Sequence, residues 1–194
     1  MIRRPPRSTL SSSSAASDVY KRQTLDKQDD LQFLLLQLET SLIGSCCIYQ
    51  GEELGLSDVT NIQFDKMKDP WGLNFYPEFL GRDTCRTPMV WEKNKPMGGF
   101  TSANESWLPI SELHMEKAGL DMANSEGSIY NKFSSFLKWR RKQPAMISSN
   151  KMSELSGGPS EIIFDRESET QILRCKFDFE LVKATFEEVT HGTS

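Results

Sequence analysis

Leu31, Leu34, Leu35, Leu38 and Leu42 recur at the spacing that puts side chains on one stripe of an α-helix, and the stripe stops at Gly44. Phe33 and Leu36 widen it, so the helix predicted over 25–43 is covered on more than one side. The glycine is followed at once by Ser45–Tyr49 (SCCIY), a short apolar run closed by Gly51. Such a run reads as a strand buried on both faces, as in a parallel sheet. A helix feeding such a strand is the αβ step of an α/β fold.

Residues 51–118 show no sustained period. They hold most of the nine prolines and many aromatics, among them Phe64, Trp71, Phe75, Tyr76, Phe79, Trp91, Phe100 and Trp107. A connection of that length is either functional or a sign of a wrong element assignment, and its aromatic content argues against simple disorder. Periodicity returns over 125–143, where Ile129, Phe133, Phe136, Leu137 and Arg140 share a face. Ser125 or Ser128 can cap that second helix. Arg140, Arg141 and Lys142 suit its negative end, and Pro144 stops it.

Beyond Pro144 the period becomes two. Cys175, Phe177, Phe179 and Leu181 alternate with Arg174, Lys176, Asp178 and Glu180, which predicts a half-buried antiparallel strand. Glu161–Phe164 is a second strand, after the turn residues Gly157-Gly158-Pro159. A small β domain is therefore expected to open near residue 146.

Charge narrows the partners. Lys+Arg 23 against Asp+Glu 27 leaves −4 over 194 residues, which excludes binding to nucleic acid driven by bulk charge and a polybasic membrane surface. Residues 1–23 carry +4 of their own, so the remainder carries −8. That head, with a Pro-Pro pair and four consecutive serines, lacks the apolar core of a secretory signal. It resembles a translated sequencing adapter, is expected to be disordered, and leaves a protein whose own sequence starts near Thr24. No apolar run reaches the 18 residues of a spanning helix. Cys46, Cys47, Cys85 and Cys175 form no C-x-x-C pair, and with His114 and His191 they make no zinc-ligand spacing. Reduced thiols in a cytoplasmic protein are expected, with no metal and no cofactor.

Catalytic signals are few. His114 and His191 lie in irregular segments without a G-x-S-x-G partner, and Gly98-Gly99 lacks the strand–turn–helix context of a phosphate loop. The adjacent acids Glu52 and Glu53 read as a solvated pair or as helix-end partners. The group that stands out is Arg82, Asp83 and Arg86, two cations and an anion inside the aromatic loop. Arginines there can hold a hydroxylated or anionic ligand, or brace the loop through Asp83.

Six strings then occur in order: IYQGEELGL (48–56), KDPWG (68–72), FYPEFLGRDTCRTPM-V-W (75–91), GGFT (98–101), WLPI (107–110) and SIYNKFSSFLKWRRKQPAM (128–146). Together they closely resemble the C-terminal part of bacterial α-glucosidases of the oligo-1,6-glucosidase type, in the α-amylase superfamily, glycoside hydrolase family 13. The resemblance runs from about Leu31 to Phe179. It implies the end of a (β/α)8 TIM barrel followed by the start of an antiparallel β-sandwich. Under it, the seventh helix falls at 25–43, the eighth strand at 45–49, the eighth βα loop at 50–124 and the eighth helix at 125–143. The domains expected are 24–145, closing the catalytic barrel, and 146–194, a truncated β domain.

The chemistry implied is retaining hydrolysis of terminal α-linked glucose from short oligosaccharides or disaccharides, by an Asp nucleophile and a Glu acid/base. A further Asp would hold substrate hydroxyls. In the family all three precede the region matched here, so no catalytic residue is expected on this chain, and the segment alone should be inactive. The Arg of G-R-D falls on Arg82, whose implied role is binding the terminal glucose. Asp83, Arg86 and Glu52 also fall on pattern positions, as bracing residues. The chain departs from the pattern at Thr84, Val90 and Ile43, the last removing an arginine from the turn before the eighth strand. Two rival readings stand beside this one: a sucrose isomerase or trehalulose synthase, which shares these strings, and the non-catalytic ectodomain of an amino-acid transporter heavy chain, against which the G-R-D-x-C-R-T-P-M string favours the enzyme.

Overall fold

The computed structural model describes residues 28–148 and 150–189. The expectations for residues 1–23, and His191, lie outside these. The described chain forms two compact units, one made of the segment ending at Tyr49 together with the chain from Ser135 onward, the other of Gln50–Ser134.

In the first unit, helix α1 spans Gln28–Ser41, with Asp29 and Asp30 in the first turn, where acidic residues suit the positive helix end. Four strands follow the later helices: β1 (Lys151–Met152), β2 (Glu161–Glu167), β3 (Ile172–Asp178) and β4 (Lys183–Glu188). They form one antiparallel sheet in the order β1-β2-β3-β4. Phe164 sits opposite Cys175, and Cys175 opposite Phe186, so one face carries a row of apolar side chains across three strands. Asp165–Arg174 and Lys176–Glu161 are ion pairs on the strands in between. This alternation is the half-buried pattern expected from period two.

The apolar face packs on α1. Leu34, Ala145, Met146, Phe164, Leu173, Cys175 and Phe177 form one buried cluster, with Leu31, Leu38, Leu42, Trp139 and Phe186 against it. The leucine stripe therefore does cover a sheet, but the antiparallel one rather than a parallel neighbour of 45–49. Leu36 is also fully buried, so α1 is covered on more than one side. Aromatic rings knit the cluster: Phe164–Phe177 at 5.8 Å and Trp139–Phe186 at 4.9 Å. Burial pushes the Cys175 thiol up to about 12, so it is an inert apolar side chain.

The fold corrects the sequence reading at two places. Ser45–Tyr49 forms no strand, and Cys46 and Cys47 are exposed. A strand of a parallel sheet exists only by pairing with its neighbours, and every described strand belongs to the antiparallel sheet. Leu181 is not the inward end of a strand: β3 stops at Asp178, whose carboxylate accepts from Glu180 and Leu181 backbone N–H, and Leu181 is 68% exposed in the turn. That turn leads into β4 (KATFEE), a strand the period-two reading did not reach.

Helix α1 has no basic residue in its last turn. Its terminal carbonyls are met from elsewhere in the same unit. Arg140 Nε donates to Thr40 O (2.6 Å), and Arg166 donates from one terminal nitrogen to Ser41 O (2.7 Å) and Leu42 O (3.2 Å). Arg140 thus serves the end of α1, not only of its own helix.

The second unit is built from short pieces. A 3-10 turn covers Glu52–Leu54, and α2 spans Pro70–Phe75. Further 3-10 turns lie at Phe64–Lys66, Asp83–Cys85 and Pro96–Gly99. Single-turn α3 (Glu112–Met115) and α4 (Gly119–Asn124) precede α5 (Ile129–Arg140), which runs from this unit into the first, before α6 (Pro144–Ile147). Small clusters of the described residues help to hold it, among them Leu54, Leu56 and Met89, and Val59, Ile62 and Met67. Ser128 Oγ accepts from Asn131 N (3.2 Å), the cap expected at the start of α5. No described helix is long and apolar enough to cross a membrane.

Candidate functional site

The aromatic loop opens a cleft of about 600 Å³ lined by Asp69, Trp71, Phe75, Glu78, Phe79 and Arg82. All six lie in the second unit. Its construction starts at Asp69-Pro70, an N-cap acid followed by the residue best suited to the first helical position. Asp69 Oδ1 accepts from Trp71 N (3.3 Å) and starts α2, which carries Trp71 and Phe75 on one wall. Their rings stack at 5.7 Å with 21° between planes.

The second wall is Phe79 to Arg82, held by the same carboxylate. Asp69 Oδ2 accepts from Arg82 N (2.6 Å) and from Arg82 Nε (3.4 Å). The Asp69 side chain is 1% exposed and that of Arg82 59% exposed, so the pair runs from the loop interior to the cleft. The backbone N–H of Arg82 holds the Asp69 carboxyl below its ordinary range, with smaller help from the Trp71 N–H and the guanidinium.

Backbones approach closely here. Gly81 has φ +69°, and a Cβ on it would lie 2.7 Å from Asp69 Oδ2 and 2.7 Å from Gly72 N. Only glycine accepts both the conformation and the contact.

Asp83 does something other than brace an arginine. Its Oδ2 accepts from Lys68 N and from Asp69 N (2.8 Å), tying the two walls together beneath the cleft. Arg86 is half-buried and makes no ion pair among the described residues. The triad read as a cluster is therefore divided: Arg82 faces the cleft, Asp83 is buried structure, and the partner of Arg82 is Asp69. Asp69 was legible in the KDPWG string as an N-cap before proline, though not as a partner of an arginine thirteen residues on.

Glu52 and Glu53 are helix-end residues, in the first turn of the 3-10 segment Glu52–Leu54, rather than a solvated pair. Glu52 is 4% exposed, and burial raises the Glu53 carboxyl above its ordinary range against weaker opposing backbone hydrogen bonds. His114 is likewise buried, with Nε2 2.8 Å from Ser57 O. No group of three His, Cys, Asp or Glu that could hold a metal ion occurs among the described residues.

Chemically, the cleft offers a cationic fork beside three half-exposed aromatic faces. Arg82 donates through Nε to Asp69, which leaves its terminal nitrogens for the cleft. Charged N–H donors suit hydroxyl or anionic oxygens, and aromatic faces suit the apolar C–H face of a ring.

The chain has relatives among known proteins. Residues 13–149 match the family described as alpha amylase, catalytic domain. A probable alpha-glucosidase of Rhizobium meliloti is 45% identical over 113 residues, covering 58% of this chain and 20% of that protein. An oligo-1,6-glucosidase of Halalkalibacterium halodurans is 26% identical over 162 residues, covering 74% and 28%. Among solved structures, an alpha-glucosyl transfer enzyme, XgtA, superposes with TM-score 0.72 at 35% identity, covering 78% of this chain and 28% of that one. Bacillus licheniformis trehalose-6-phosphate hydrolase does so with TM-score 0.69 at 20% identity, a likeness of fold. The chain thus spans between a fifth and a third of the length of these proteins. With well over half its residues matching the catalytic-domain family, this chain belongs to the alpha-amylase family of glycoside hydrolases, whose catalytic domain is a TIM barrel.

Proposed function

We propose that this chain is part of an α-glucosidase that releases terminal α-linked glucose from short oligosaccharides or disaccharides. The 45% identity to the Rhizobium meliloti protein carries the reading. The reaction is retaining: a carboxylate displaces the leaving sugar, a second carboxyl protonates it, and water then resolves the glycosyl-enzyme. Both carboxylates belong to parts of the enzyme outside this segment, whose contribution is the cleft of the aromatic loop. Arg82 donates there to hydroxyls of the bound glucose. Residues 24–145 close the barrel, 146–194 open the β domain, and the enzyme acts in the cytoplasm.

The test is made in the complete enzyme. A hydrogen bond from a charged donor contributes about 1.5–3 kcal/mol, so Arg82→Ala lowers kcat/KM on p-nitrophenyl α-glucoside by about 10- to 100-fold. Arg86→Lys changes it little, and the isolated segment releases no p-nitrophenol. Unchanged kinetics in the Arg82 variant would remove Arg82 from the binding site.

The 35% identity to an alpha-glucosyl transfer enzyme favours one second reading, in which an acceptor hydroxyl replaces water in resolving the same intermediate. Product analysis with and without an added alcohol separates the two.

A further inference from the structure

We propose that Asp69 is a positioning residue for the cleft, a buried carboxylate that sets the arginine on one wall and the aromatic helix on the other. The inference rests on the role given to Arg82 above and adds the residue through which that role is exerted.

An exposed arginine is a poor binding group by itself, because about 2 kcal/mol of side-chain entropy opposes any single placement. Arg82 is anchored at two points on one oxygen. Its backbone N–H donates to Asp69 Oδ2 at 2.6 Å and its Nε at 3.4 Å, which fixes both the root and the plane of the guanidinium. The terminal nitrogens have no protein partner among the described residues. The other oxygen, Oδ1, accepts from Trp71 N and so sets the first turn of α2 and the rings it carries.

Three further features make the anchor rigid. The Asp69 backbone N–H is itself held by Asp83. The Gly81 backbone leaves no room for a Cβ against the carboxylate. The carboxyl is held in its ionised form by the donors around it, so the anchor persists across the neutral range. One side chain therefore couples two walls that are eleven residues apart, Trp71 and Arg82.

The test separates positioning from mere structure by a double-mutant cycle in the complete enzyme. Asp69→Asn keeps the size but loses the shared charge. Asp69→Ser can still cap α2 while withdrawing from Arg82, and serves where the asparagine variant folds poorly. With Arg82 present, either variant is expected to lower kcat/KM by about tenfold, the scale of one charge-assisted hydrogen bond. In an Arg82→Ala background the same change is expected to cost less than about twofold, because the group it positions is gone. Circular dichroism melting of each variant accompanies the kinetics. Equal losses in both backgrounds would overturn the proposal and leave Arg82 as a binding residue. An Arg82→Ala enzyme with unchanged kinetics would overturn both readings.

Discussion

Arg166 and Arg174 lie on adjacent strands of the sheet, and the structure assigns them opposite weights. Arg166 is 2% exposed and gives its charge to two carbonyls at the end of α1, Ser41 O at 2.7 Å and Leu42 O at 3.2 Å. Arg174 forms a two-point pair with Asp165 at 2.9 and 3.0 Å, in solvent. Replacing Arg166 by Leu removes two charge-assisted bonds of about 1.5–3 kcal/mol each. It also removes a favourable charge at a helix C-terminus, worth about 0.3–1 kcal/mol. Against that, burial pushes the Arg166 guanidinium below its ordinary range, so the native state bears a desolvation cost that the leucine does not. Leucine also restores apolar burial of about 1.5–3 kcal/mol. The balance is a loss of about 2 kcal/mol, which lowers the urea midpoint by that amount divided by the slope of the unfolding transition. Urea unfolding of the complete enzyme, followed by circular dichroism, measures it. Arg174→Ala leaves the midpoint within error. An Arg166→Leu midpoint within ~0.2 M of the parent would refute the view that the strand arginine stabilises the helix end.

Glu53→Gln tests the raised carboxyl. An acid whose folded pKa lies above its unfolded value favours the folded state at low pH and loses that contribution as pH rises from the ordinary value of 4.5 through the folded one. The variant should therefore melt higher than the parent at pH 7 and no higher at pH 4, as read by thermal melts at both values. Gly81→Ala should destabilise more than Gly127→Ala. Both have positive φ and share a left-handed strain of about 1–2 kcal/mol, but a Cβ at Gly81 meets Asp69 and Gly72 whereas one at Gly127 meets nothing within 4 Å. Equal melting shifts for the two variants would show that the close approach carries no cost.

Local rules were enough for four of the regular elements, α1, α5, β2 and β3. The leucine stripe determined α1, Ser128 and Pro144 bracketed α5, the turn residues Gly157-Gly158-Pro159 preceded β2 and period two located β3, because each signal acts within one or two turns or along one strand. The aromatic loop stood out as a candidate site from its prolines, aromatics and length, and the cleft it forms is lined by Arg82. Tertiary structure decided the rest. SCCIY has the composition of a buried strand, yet pairing is a property of two strands, and none of the described strands lies beside it. Which sheet the leucine stripe covers follows from three-dimensional packing, since any apolar face would satisfy it. Asp83 looked like the partner of Arg82 because it is adjacent in sequence. The fold turned its carboxylate onto the amides of Lys68 and Asp69 and brought Asp69 from thirteen residues away to the arginine. A charge pairs with the nearest donors in space, and that distance is set by the close passage of Gly72 and Gly81, which only the folded backbone defines.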